Sequence, residues 1–201
     1  MIPAVPRLLF IPVLFVTNAV SQESSLIVNG SFEESPAVST YLNVVAGAAT
    51  IKGWVVTGEG VDVVADRYWP ASDGVRSVDL DGSARSRTTP PFTQGGLAQT
   101  FPTTPGARYL VRFDLSGNPV KKPVVKPIRI SAAGQSAEFT FDVSGTDFRN
   151  MGWSPRTWTF IAKDSSTTPW NSVASRLPRS QDTDPQLTMF PSPHWTTHHW
   201  S

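Results

Sequence analysis

Cysteine does not occur in the 201 residues of this chain. Thiol nucleophiles, zinc–thiolate sites and disulfides are therefore excluded. Charge is scarce as well: 16% of the residues are charged and the net charge is +1. That balance creates no overall field to draw in nucleic acid. The one short basic stretch, KKPVVK at Lys121–Lys126, reads as a solvated loop. The three histidines, His194, His198 and His199, all lie near the C-terminus, and no Gly-x-Ser-x-Gly elbow occurs. A serine–histidine nucleophile thus has no support. No glycine-rich phosphate loop precedes a helical pattern, which removes nucleotide binding. Long apolar runs are also missing. The one candidate, Leu8–Val16, has about nine residues, too few to cross a bilayer core of about 30 Å. Arg7 stands before it and Ala19-Val20-Ser21 after it, although Pro12 interrupts it. Residues 1–21 therefore read as a secretory signal peptide cleaved before Gln22. No other segment approaches a membrane span.

What the chain does contain is turn formers and aromatics: 18 Pro, 14 Gly, 7 Trp and 11 Phe. From Leu26 to about Ala162, short β-branched or aromatic runs alternate with Gly, Pro, Asn and Asp clusters. LIVNG reads as a strand and turn, and TIKGWVVTGEGVDVV as two strands around Gly58-Glu59-Gly60. In RSVDLDGS, Val78 and Leu80 face one way and Ser77, Asp79 and Asp81 the other. ARYLVRFDLSGNP puts Tyr109, Val111, Phe113 and Leu115 on one face. GLAQTF, VVKPIRISAAG, AEFTFDV and PRTWTFIA complete the series, and no amphipathic helix of useful length appears. The spacing predicts an all-β chain, a two-sheet antiparallel β-sandwich. Residues 22–164 form that domain. Arg85–Gln94 reads as a loop, and residues 165–201, rich in Ser, Thr and Pro without period, as a disordered tail.

Chemistry has few carriers. Asn29-Gly30-Ser31 has the form of an N-glycosylation acceptor. Glu33 and Glu34 are adjacent, so on a strand they diverge and form no acid–base pair. Asp79 and Asp81 share a face about 7 Å apart. That separation suits an inverting glycosidase on distance alone, but a polar strand end running into a turn explains it as well. Trp54 and Trp158 read as core. Tyr68 and Trp69, before Pro70, read as a candidate exposed aromatic platform for a sugar ring. Arg76, Asn118 and Trp153 complete the expected carbohydrate contact.

Taken together, NGSFEE, YLNVVAGAATIKGWVVTGEGVDVV, YWPASDGVRSVDLDG and LAQTFPTTPGARYLVRFDLSGNP resemble the choice-of-anchor C and "domain of unknown function 642" proteins. So do VKPIRISAAGQSAEFTFDVSG and NMGWSPRTWTFIA. The resemblance covers about Leu26 to Ala162. It implies a galactose-binding-like jelly roll, secreted and non-catalytic, at the cell surface or cell wall. Polysaccharides and cell-wall proteins are the implied partners. It also implies a structural calcium, with Glu33 as one ligand. The family's last strands are due after FIAKDSSTT, where this chain turns to PWNSVASRLPRS. The expectation is that a frame change near Thr168 replaced the native end. The alternatives are a protein-interaction module and a glycoside hydrolase using Asp79 and Asp81.

Overall fold

A computed structural model describes residues 25–82, 94–120 and 122–165, and the backbone of 168–173 and 187–190. The expected signal peptide, residues 83–93 with most of the expected loop, Lys121, the three histidines and most of the expected tail lie outside the described residues. Among the described residues there are eleven strands and no helix. In chain order they are β1 (Tyr41–Val44), β2 (Val55–Thr57), β3 (Val61–Ala65), β4 (Arg76–Asp79) and β5 (Gly96–Phe101). Then follow β6 (Arg108–Gly117), β7 (Val125–Ala132), β8 (Gln135–Asp142), β9 (Ser154–Ile161), β10 (Thr168–Val173) and β11 (Leu187–Phe190).

All pairings are antiparallel. One sheet runs β1-β3-β4-β11-β6-β9 and the other β2-β5-β10-β7-β8. The chain is thus the expected two-sheet sandwich. Alternation puts Val61, Val63, Val78, Leu80, Phe113 and Leu115 of one sheet against Leu97, Ile128 and Ile130 of the other, each at most 1% exposed. Fully burying one such side chain stabilises the fold by roughly 1.5–3 kcal/mol. Trp54 closes the core at 1% exposure, and Trp158 packs against it partly buried. β10 and β11 come from the segment without period, and each sits between two other strands.

Three local readings change. LIVNG is not a ladder strand: the Val28 N–H donates to Gln99 Oε1 (2.7 Å) and Gln99 Nε2 donates to Val28 O (2.9 Å). A side-chain amide on β5 stands in for a neighbouring strand. The reversal after it falls on Asn29 (φ 51°) and Phe32 (φ 62°), not on Gly30. A bulky residue there is strained, and burial of Phe32 against Trp54, ring centroids 5.5 Å apart, offsets the cost. Lys126 is not in a solvated loop. It lies on β7 at 0% exposure, close enough to Gly117 that a Cβ there would meet its Cγ at 2.7 Å. Lys122 remains exposed.

Candidate ligand-binding face

The outer face of the six-stranded sheet gathers several of the polar and aromatic side chains singled out in the sequence. Register places Asn43, Asp62, Asp79, Thr188 and Ser116 in one row across five strands. Asn43 Nδ2 donates to Asp62 Oδ1 (2.9 Å). Asp79 Oδ1 accepts the N–H of Asp81 (3.1 Å), a local turn rather than an open acid pair. Asp62, Asp79 and Asp81 are all at most 5% exposed.

The next row holds Tyr41, Val64 and Ser77, and two loops close over it. In the loop after β3, Trp69 is 2% exposed and donates its Nε1–H to Ser77 Oγ (2.8 Å). In the loop before β9, Asp147 and Asn150 exchange backbone hydrogen bonds and Phe148-Arg149 form the tip. Val64, Trp69 and Met151 form a second small core, with Phe148 and Trp153 packed on it. Phe148 stacks on Trp69 at 6.1 Å and 20°. Tyr68 lies against Trp69 (5.1 Å), Phe148 (5.5 Å) and, edge-on, Tyr41 (5.9 Å). Tyr68 and Tyr41 remain 38% and 47% exposed.

The first loop is pinned at four places. Trp69 bonds Ser77, Ser72 Oγ donates to Asp114 Oδ2, and Trp153 Nε1 donates to Pro70 O (3.0 Å). Glu33 Oε1 accepts the backbone N–H groups of Val75 (2.8 Å) and Arg76 (2.9 Å). Gly74, at φ +63°, makes room for that carboxylate: a Cβ there would lie 2.3 Å from Oε1. Glu34 goes elsewhere, to Lys52 Nζ. The two glutamates do diverge, but from an irregular segment rather than a strand.

Of the expected sugar contacts, the structure brings together Tyr68, Trp69 and Trp153. Trp69 is a buried floor beneath Tyr68, and the Trp153 N–H is already engaged. Arg76 is not on this face, because strand alternation sends it opposite to Ser77, and its Nη1 donates to Val75 O (3.1 Å). Asn118 is 5% exposed beyond β6, its Oδ1 accepting the Val120 N–H (3.2 Å). Tyr41 and Phe148 belong to the patch without having been singled out. Short YLNV shows no clear period, and Phe148 meets Tyr68 only through a non-local turn. Among the described residues no three His, Cys, Asp or Glu side chains cluster to hold a metal. Hard cations such as calcium take six to eight oxygens, so Glu33, with Oε1 engaged by two N–H donors, does not by itself make such a site.

Two antiparallel sheets with this topology define a jelly-roll β-sandwich, the class to which carbohydrate-binding modules belong. More narrowly, the chain belongs to the DUF642 family, described as proteins of unknown function, whose model matches residues 25–171. Its fold is similar to that of TmCBM61 in complex with β-1,4-galactotriose, at 16% identity and a TM-score of 0.51 over 89% of this chain and 100% of that one. It is also similar to part of the arabinose-bound MgGH51 α-L-arabinofuranosidase, at 11% identity and a TM-score of 0.50, over 84% of this chain and 26% of that one. In sequence it is 29% identical over 160 residues to halomucin of Haloquadratum walsbyi. That match takes in 78% of this chain and spans only 2% of halomucin.

Proposed function

We propose that this protein is a secreted, non-catalytic glycan-binding module of the cell surface or cell wall, contacting its ligand through Tyr41 and Tyr68. The carrying observation is the patch itself: half-exposed Tyr68 packed on Trp69 and Phe148, with half-exposed Tyr41 edge-on to it. Apolar C–H faces of a sugar ring stack on such rings, and tyrosine supplies area at little conformational cost. The likeness in fold to a module solved with a galactotriose agrees with this reading, as does the likeness to halomucin with an extracellular setting. Burial of Asp79 and Asp81 speaks against hydrolysis, since a glycosidic bond must reach both carboxyl groups.

The test is retention on immobilised polysaccharides and a glycan array. The wild-type chain is retained and Tyr68→Ala is not, with unchanged circular dichroism. A folded wild-type sample that binds no glycan refutes the proposal. A second reading, contact with cell-wall proteins, is favoured by Val120 and Val124 before β7 and Val125 at its start, exposed by 68%, 44% and 46%. Its signature is a partner lost on Val120→Ser/Val124→Ser but kept by Tyr68→Ala.

A further inference from the structure

We infer that the glycan taken by this face is anionic, its carboxylate or sulfate groups held by Arg67 and Arg149 on the two loops that bring Tyr68 and Phe148 together. The inference rests on the glycan-binding reading and adds the class of sugar. Arg67 directly precedes Tyr68 in the turn after β3, and Arg149 directly follows Phe148, whose ring lies 5.5 Å from Tyr68. Both arginines are exposed. The exposed cations of two ion pairs elsewhere, Lys52 with Glu34 and Arg129 with Glu138, have acid partners. Among the described residues neither the Arg67 nor the Arg149 guanidinium has an ion pair or a hydrogen bond.

The acids beside them in sequence do not neutralise them by contact. Asp147 Oδ1 accepts the backbone N–H groups of Arg149 (2.7 Å) and Asn150 (2.9 Å). Asp66 makes no ion pair with Arg67. Two guanidinium forks without an ion pair among the described residues therefore sit on the two loops that carry the stacking rings. A guanidinium matches a carboxylate or sulfate group with two parallel hydrogen bonds. A sugar chain that lays one ring on Tyr68 carries its neighbouring acidic groups toward both forks. At a net charge of +1, any preference for anions has to come from such a local arrangement, and it weakens as salt screens exposed pairs.

The experiment compares alginate with its propylene glycol ester, which keeps the rings and removes the charge, and dextran sulfate with dextran. Affinity electrophoresis or calorimetry reads each pair with and without added salt. The wild type prefers the charged polymer, and the preference falls with salt. Arg67→Gln/Arg149→Gln loses roughly tenfold in affinity for it, as expected for two exposed charge pairs. Arg129→Gln, which removes a similar charge from the other sheet, leaves affinity unchanged. Preference for alginate alone identifies carboxylates, and preference for both charged polymers identifies sugar anions in general; either supports the inference. Equal affinity for charged and uncharged polymers, or full affinity in the double variant, overturns it while leaving the glycan-binding reading intact. No retention of folded wild type on any polymer overturns that reading too.

Discussion

Adjacent glutamates make a controlled comparison, because Glu33 and Glu34 have the same chemistry and different partners. Glu33 Oε1 accepts two backbone N–H groups at 2.8 and 2.9 Å and ties the segment before β1 to the junction of the first loop with β4. A hydrogen bond to a charged group contributes about 1.5–3 kcal/mol where water is excluded. Glu33 is exposed, so about 0.5–1 kcal/mol per bond is the appropriate scale here. Glu33→Ala should therefore cost about 1–2 kcal/mol, a fall in Tm of roughly 2–8 °C for a domain of this size. Glu33→Gln keeps an acceptor oxygen and loses only the charge assistance, so it should fall between Ala and wild type. Glu34 pairs with Lys52, with side-chain exposures of 52% and 66%. Surface pairs of that kind contribute about 0–1 kcal/mol, so Glu34→Ala should cost the least of the three. Urea unfolding followed by tryptophan fluorescence gives the free energies, and hydrogen exchange at the Val75 and Arg76 amides locates the effect. Equal losses for Glu33→Ala and Glu34→Ala, or unchanged protection at those two amides, would refute the anchoring role.

Other consequences follow from single contacts. Asn29 Nδ2 donates to Glu34 O (3.2 Å) and Lys52 O (2.9 Å), and a glycan attached there would take one of those hydrogens. Folded protein secreted from a eukaryotic host should keep its intact mass after peptide N-glycosidase F; full occupancy of Asn29 in folded material would contradict this. Gln99→Leu removes both partners of Val28, so it should cost about 1–3 kcal/mol and expose residues before Phe32 to limited proteolysis; an unchanged cleavage pattern counts against the amide's role. The Asp142 carboxyl is held below its ordinary value of 3.8, first by the Ser144 backbone N–H (2.8 Å) and then by the Ser144 hydroxyl. A carboxyl with a depressed folded pKa adds stability above its unfolded value and loses it as pH falls through the folded one. Urea midpoints measured from about pH 6 to about pH 2 should therefore drop less steeply below the ordinary value in Asp142→Asn than in wild type.

Period-2 alternation made the long strands legible, because burial of one face leaves a direct mark on sequence. β6 shows it most clearly: Tyr109, Val111, Phe113 and Leu115 are buried while Arg108, Leu110, Arg112 and Asp114 are less so. The signal fails where pairing does not depend on which side chains are buried. β1 is a four-residue edge strand whose burial rises gradually along it. Central β10 and β11 lie in a stretch whose sequence does not alternate. Leu26–Val28 looks like a strand but docks through an amide side chain 71 residues away.

The aromatic patch was half legible for a related reason. Tyr68 and Trp69 stand together in the sequence, so the platform drew attention, but only tertiary structure decides which ring faces outward. Trp69 is held inward by Ser77, two residues from Asp79 on the same strand face. That leaves Tyr68 as the upper ring, and Phe148 reaches it across a turn that sequence spacing cannot orient. The same contact brings together the two loops that carry Arg67 and Arg149. A ligand preference read from residue types alone pointed to Arg76 and Asn118. Strand alternation and the turn after β6 engage those two in the scaffold, and the open cations lie instead on the two loops that carry the rings.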